Sequence, residues 1–504
     1  MTKRVFSVLL LFVTLAALTG PGPALAQDNV LVMARSADTT GLDPHTQTAF
    51  ASHRLLELIY EPLVELDAEL NIIPALAESW AFNEDATSLT LNLRGGVTFH
   101  DGSAMDSADV RASFERILDE ETGAAARSRY TGISAIETPD ANTVVFVLSE
   151  PNVPLLGALA SVNAAIISEE AAAGGDFSGA NGTGAFVLEE WTPEEVTTLS
   201  ANASWWGDGP NVDGVEIRII PDEASILAAL RVGEIDFALL NDPLIATLLI
   251  GDESVRLNRV PALAYHVLQL NASREPLDQL AVRQALSCAI DRQQILDTAS
   301  LGEGSVTGPL TSAAYAVPLD EYFCYERDVE MARSLLAEAG LADGFSISVI
   351  AANAEPPTAL SEAQTIQAQL AEIGVEVVIE SMELGTYIDR WLAADFDGAV
   401  ALNGGRPDPH TMYSRYWTKD GNLQKVANYI DDTLDELMAA GKVETDPAAR
   451  YEIFAEFQKH LVEMAPWIWL YTGYEYSAQQ PWVSGFVPHP GDKLTSFNAV
   501  SLDR

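Results

Sequence analysis

The octet "NGGRPDPH", residues 403–410, brings Asn403, Arg406, Asp408 and His410 within eight positions, among two glycines and two prolines. A guanidinium such as that of Arg406 is a planar fork of N–H donors that matches a carboxylate or phosphate, and an imidazole such as that of His410 can ligate a metal. The octet follows the apolar run "FDGAVAL" and precedes "TMYSRYW". A similar junction, "FALLNDP", ends another apolar run at 237–243. In each case a strand ending in Leu-Asn enters a Pro-containing loop, and open α/β sheets bind ligands outside the carboxyl ends of their strands. The octet therefore lies where a ligand crevice is expected, and position alone does not show what it binds.

Chemistry that alters a substrate finds no support in the residues. The chain lacks a G-x-x-x-x-G-K-[ST] phosphate loop and an H-E-x-x-H zinc motif, and "GISAI" at 132–136 lacks the last Gly of G-x-S-x-G. None of the six Lys completes S-x-x-K. The seven His are scattered (His45, His53, His100, His266, His410, His460, His489), without the spacing of a metal site. Pairs of acids abound, but among 73 Asp and Glu they arise by chance.

Alternating strands and helices must position the loops. "TSLTLNLRGG" alternates with period two, as a half-buried strand does. "MDSADVRASFERILDE" reads as a helix capped by Asp106 or Ser107, with Val110, Phe114 and Ile117 on one face. Residues from about 66 to 180 form a mixed subdomain on this reading. "VEIRIIPDEASILAALRVGEIDFALLNDP" (215–243) is a βαβ pattern, with Asp222 as cap and Gly233 at the helix end. "EPLDQLAVRQALSCAIDRQQIL" is a helix capped by Asp278, with Val282, Ala285, Leu286, Ala289 and Ile290 in its stripe. Asp328 caps the next helix, and Gly340 lies past its end. "FSISVIAA", a helical stripe ending at Gly374, and "VEVVIES" repeat the βαβ logic in the second half.

The chain has 504 residues, which implies more than one domain, and 48% hydrophobic content fits a globular fold. "MTKR", an apolar run too short to span a bilayer, and "ALA" at 24–26 read as a secretory signal peptide over residues 1–26, without a Cys for lipid attachment. The expected product is exported to the periplasm and begins at Gln27. A formal charge of −45 gives a surface that repels nucleic acid and anionic membranes at long range, while leaving room for a local basic pocket. Cys288 and Cys324 form a disulfide or remain two buried thiols; the compartment permits the former.

Four stretches in order resemble the extracytoplasmic solute-binding proteins of ABC importers, family 5, the dipeptide, oligopeptide and nickel-binding branch. They are "LRGGVTFHDGSAMDSADVRASFERI" (93–117), "GTGAFVLEEWTPEEVTTLSANASWW" (182–206), "LQLNASREPLDQLAVRQALSCAIDRQQI" (268–295) and "MARSLLAEAG" (331–340). The resemblance implies an α/β fold, a periplasmic-binding-protein type II clamshell with an extra subdomain on lobe one. Lobe one would take 27–62, 184–266 and 478–504, the extra subdomain 63–183, and lobe two 267–477. Strands near Tyr265–Asn271 and Tyr474–Gln480 would cross between lobes as a hinge. The implied partners are a small-molecule ligand and ABC permease subunits with their ATPase. The implied protein is a monomer that needs no cofactor and catalyses nothing.

The same resemblance gives the octet a finer reading. Peptide-binding members carry a Trp and then an Asp before the Asp-Pro, and that Asp pairs with the peptide's α-amine. In the register set by Asp408-Pro409 those positions hold Leu402 and Gly405. The amine-capturing acid is missing, and the resemblance does not transfer its role to Asp408. Arg406 pairs with an anionic ligand group or is a loop charge. His410 occupies the place of a metal-chelate-binding His of nickel relatives, or is a polar residue at a helix start.

Other ligand-binding candidates follow from position. Thr48 and His53 lie in "LDPHTQTAFASH" on lobe one's side of the cleft, with helix capping the alternative for Thr48. Thr183, in Gly-Thr-Gly, lies near the ligand or in a tight turn. Asn403, Gly405, Asp408 and Tyr265 are wall residues, and Trp391 stacks on a ligand or packs in the core. A nickel-chelate binder, a sensor serving a chemoreceptor and an enzyme are the alternative functions.

Overall fold

The computed structural model describes residues 29–353 and 356–504; the expected signal peptide lies outside the described residues. Three large sheets, beside two of two strands each, organise the described residues. The seven-stranded sheet has the order Arg256–Pro261, Tyr474–Gln479, Phe237–Leu240, Val30–Arg35, Gly214–Ile219, Val196–Ala201, Phe186–Thr192. The six-stranded sheet runs Ser305–Val306, Trp467–Thr472, Tyr265–Leu270, Gly398–Asn403, Phe345–Ala352, Val375–Met382. The four-stranded sheet, Ala77–Phe82, Ser88–Leu93, Thr143–Leu148 and Ile133–Asp140, is antiparallel.

Each sheet is held by its own apolar packing. Under the four-stranded sheet, helix Ser107–Leu118 buries Val110, Phe114 and Ile117. Its N-terminus is fixed by a capping box: Asp106 accepts from the first turn while Asp109 accepts from the Asp106 N–H. In the six-stranded sheet, Phe345–Ala352, helix Ala359–Ala371 and Val375–Met382 form a βαβ unit with adjacent parallel strands. In the seven-stranded sheet the βαβ pattern of 215–243 has Val30–Arg35 inserted between its two strands, parallel to both. The all-apolar face of Val30–Arg35 and the fully buried "FALL" make this the centre of the sheet.

The chain passes between the two large sheets by two short links. Residues 262–264 join Arg256–Pro261 to Tyr265–Leu270, and Gly473 alone joins Trp467–Thr472 to Tyr474–Gln479. The strands expected to cross as a hinge each stay within one sheet, and the crossing falls in the residues just before them. At the first link Ala262 N–H donates to Gly473 O at 3.0 Å, and Thr472 Oγ1 donates to the carbonyls of Ala262 and Ala264 at 2.7 Å each. The two links therefore brace one another where the sheets meet.

Cys288 and Cys324 are joined, with sulfurs 2.00 Å apart. The bridge ties helix Leu280–Ala289 to the segment leading into helix Val329–Glu338, and Asp328 N–H donates to Cys288 O at 2.8 Å beside it. Asp278 lies one residue too early to cap the first of these helices, whose N-cap is Gln279.

Candidate functional site

Two cavities adjoin where the sheets face one another, sharing Phe50, Arg54 and Asp492 as part of their walls. The first, about 530 Å³, is built from carboxyl ends of parallel strands in both sheets. Ser36 follows Val30–Arg35, Asn241 follows Phe237–Leu240, Asn353 follows Phe345–Ala352, and Leu402 lies on Gly398–Asn403. The links between sheets supply Ala262, Ala264 and Gly473 to the same wall. This is the crevice that the topology of open α/β sheets produces.

Most polar groups of the first cavity are already engaged. Glu223 accepts the N–H groups of Asn241 and Asp242 at 2.9 Å each, fixing the loop after its strand. Asp222 and Asp242 each cap their own helix. His266 sets Nδ1 2.8 Å from Glu362, which also accepts from Tyr471 at 2.6 Å, and the imidazole stacks on the Tyr471 ring. His266 and the hydrogen bonds beyond it could not be paired from sequence, since 95 residues separate it from its partner by position alone.

The second cavity, about 520 Å³, lies between the four-stranded subdomain, helix Phe50–Ile59, the loop 405–408 and residues 489–493. Its charged groups are Arg54, Arg129, Arg406 and Lys493 against Glu57, Glu69, Asp408 and Asp492. Arg54 pairs with Asp492. Lys493 lies 3.6 Å from Glu57. Asp408 is taken by Arg450, whose Nη2 donates to it at 2.6 Å. Glu69 is exposed. Arg129 and Arg406 are left with no ion-pair partner among the described residues. Arg406 Nη1 donates to the adjacent Gly405 carbonyl at 2.9 Å, and Arg129 Nη1 is buried without a hydrogen bond. Burial first, and then the charge of Arg406, push Arg129 down to about 9, so its guanidinium still carries its charge at neutral pH. Arg406 is lowered by burial and then by Arg415.

Of the candidates from sequence, Arg406, Gly405, Asp408 and His53 border the second cavity. His53 has Nε2 3.0 Å from Gln47 O, and burial pushes it down to about 4, so it is neutral. Asp408 also accepts from Thr411 N at 2.9 Å and so caps helix Pro409–Trp417, leaving it committed to the fold. Gly405 is packed so that a Cβ would overlap the Leu263 carbonyl.

The remaining candidates lie away from both cavities. Tyr265 and Asn403 face one another across two strands, with Asn403 Nδ2 donating to Tyr265 Oη at 3.2 Å in a buried aromatic cluster. Trp391 packs partly into the same cluster and donates from Nε1 to Gln269 Oε1 at 2.6 Å. Thr48 is exposed, and the N-cap of the helix after it is Ala49. Thr183 is buried and donates to Glu61 Oε2 at 2.8 Å; Trp205 and Trp206 donate to the same carboxylate. Burial raises Glu61 to about 7 against the pull of those three donors. The flanking Gly182 and Gly184 press on the backbone of Ile59, so this stretch is a packing joint. His410 is neutral, pushed down to about 4 by burial, and no group of three metal-ligating side chains occurs among the described residues.

The profile of the bacterial extracellular solute-binding proteins, family 5 Middle, matches residues 71–424. The glutathione-binding protein GsiB of Salmonella paratyphi A is 29% identical over 503 residues, covering 95% of this chain and 96% of its own length. The dipeptide-binding protein of Escherichia coli is 28% identical over 517 residues, with shares of 95% and 96%. Among solved structures, the periplasmic binding protein AgaA of A. tumefaciens R10 in complex with agropinic acid superposes with a TM-score of 0.86. It is 28% identical, over 94% of this chain and 99% of that one. The type II periplasmic-binding-protein fold expected from the sequence is the fold of these neighbours.

Proposed function

This chain belongs to the bacterial extracellular solute-binding proteins of family 5 and is a periplasmic binding component of an ABC importer; we propose that it works as a monomer that closes two lobes on a small organic solute, peptide-like or opine-like, and leaves every bond of that solute intact. The lobes divide at residues 262–264 and Gly473, a few residues before the boundaries read from the sequence, with the four-stranded subdomain carried on the first. A permease with its ATPase receives the closed form. The observation that carries this reading is the cavity walled by strand ends of both large sheets, with a second cavity adjoining it, where the described chain passes from sheet to sheet through residues 262–264 and Gly473. Links so short allow a hinge, and contacts made only in the closed state would bias it.

Relatives that bind glutathione and dipeptides and a neighbour that holds agropinic acid support this solute class. The glycine at 405 argues against an α-amine anchored at that position, and favours a solute held through other groups. Arg406, with Gly405, His53 and Asp408 around it, is the proposed ligand-facing end of the octet. The absence of a motif for catalysis in the sequence supports transport without chemistry.

A thermal-shift screen of dipeptides, glutathione, agropinic acid and neutral sugars tests the reading. The right solute at 100 times its Kd adds roughly 2.7 kcal/mol and raises Tm. Small-angle scattering should then show a smaller radius of gyration. Recovery of a chemically changed solute, or scattering unaltered by a solute that binds, would reject it.

A further inference from the structure

We propose that Arg129 and Arg406 form an anion clamp, so that the solute presents a carboxylate or phosphate group to the second cavity. The inference rests on the solute-binding reading and deepens it. Arg129 comes from the four-stranded subdomain's surroundings and Arg406 from the loop after Gly398–Asn403, 277 positions apart in the chain. They border one cavity, both are half-buried, and among the described residues neither has an acid within ion-pair distance. That lack is notable in a chain with 73 acids and 28 bases. Of the acids around the cavity, Asp492 and Asp408 are matched with Arg54 and Arg450, Glu57 lies 3.6 Å from Lys493 and acts on Arg406 only from beyond ion-pair distance, and Glu69 is exposed.

Two like charges bordering one cavity repel, and an anion between them removes that cost while accepting several charge-assisted hydrogen bonds. Arg129 Nη1, buried and without a partner, is a donor left open for such a guest. Burial lowers both groups, with the charge of Arg406 adding to it at Arg129 and the charge of Arg415 adding to it at Arg406. Because the two arginines belong to different parts of the fold, an anion gripping both also draws those parts together.

The test compares parent, Arg129→Gln and Arg406→Gln by thermal shift and titration calorimetry. The probes are glutathione, agropinic acid and glucose 6-phosphate, each against a counterpart without its anionic groups: glutathione diethyl ester, an agropinic acid ester and glucose. At least one acid should bind the parent, with its ester or neutral form tenfold weaker or worse. Each substitution should cost that acid tenfold or more, while the solute-free variants melt no lower than the parent, since repulsion is relieved. The carboxylate and phosphate arms tell which anion fits. If only neutral or cationic solutes bind, or the variants keep full affinity for the acid, the clamp is wrong and the importer reading stands. If no solute of any charge shifts Tm and both variants melt well below the parent, the arginines are structural, and the solute-binding reading loses its site as well.

Discussion

A Cβ placed on Gly405 would overlap the carbonyl oxygen of Leu263, the middle residue of the link between the two large sheets. The loop after Gly398–Asn403 thus touches the backbone of that link directly, and a side chain at position 405 has no room. Gly405→Asp should therefore destabilise the protein by about 1–3 kcal/mol or more, as other overpacked sites do. Urea unfolding measures the cost. A variant as stable as the parent that also acquired affinity for free-amine dipeptides would refute this account of the site.

Asp408 should matter to stability more than to the solute. It caps helix Pro409–Trp417 through Thr411 and pairs with Arg450, which is 5% exposed and also donates to Gly441 O at 2.7 Å. Asp408→Ala leaves that guanidinium buried without its counter-charge, a loss of about 3–5 kcal/mol, with about 1 kcal/mol more for the cap. Solute affinity measured well below the melting transition should fall less than tenfold. Full stability together with lost binding would instead put Asp408 in contact with the solute.

The fold was legible where local rules act alone. Asp106, Asp222 and Asp328 cap the helices their positions foretold, and Val110, Phe114 and Ile117 are buried as one stripe. The strand Val30–Arg35, slipped between the two strands of a βαβ pattern, was not legible, because pairing order depends on residues nearly two hundred positions away. The site divides in the same way. Arg406 stood out by its loop, but Arg129 sits in a short helical turn with no periodicity or motif to mark it. Tyr265, Asn403 and Trp391 satisfy one another or Gln269, because a buried polar group must find a partner, and nothing local says whether that partner is a solute or the core.

Reducing the Cys288–Cys324 bridge should weaken the second half of the molecule. The closed loop spans 36 positions, for which loss of loop-closure entropy in the unfolded chain corresponds to about 4 kcal/mol at 25 °C. The pair Cys288→Ala, Cys324→Ala should lose about that much unfolding free energy in urea, with a lower midpoint, and the parent should match it once reductant is added. The native parent should not react with a thiol reagent before reduction. Equal midpoints with and without reductant would remove the bridge from the list of what holds this fold.

His45, in the segment before helix Phe50–Ile59, links that segment to Arg116 and Ala165 and should make stability pH-dependent. Asp43 grips Arg116 with both oxygens, at 2.6 and 3.1 Å, and Arg116 Nη1 in turn lies 2.8 Å from His45 Nδ1. A guanidinium only donates, so Nδ1 accepts, and the ring's proton sits on Nε2, which donates to Ala165 O at 3.0 Å. Protonating Nδ1 would set two donors against each other in a fully buried place. Burial chiefly, with Arg116 adding to it, pushes the imidazole down to about 4. The folded value lies below the unfolded one of about 6.5, so acid protonates the unfolded chain first. The contribution of neutral His45 is complete above about pH 6.5 and is lost as the pH falls toward about 4, on the order of 3 kcal/mol. His45→Gln removes the titration, so the stability difference between parent and variant should shrink over that interval. A difference that stays constant from pH 7 to pH 4 would show that His45 takes up its proton as readily in the fold as in the unfolded chain.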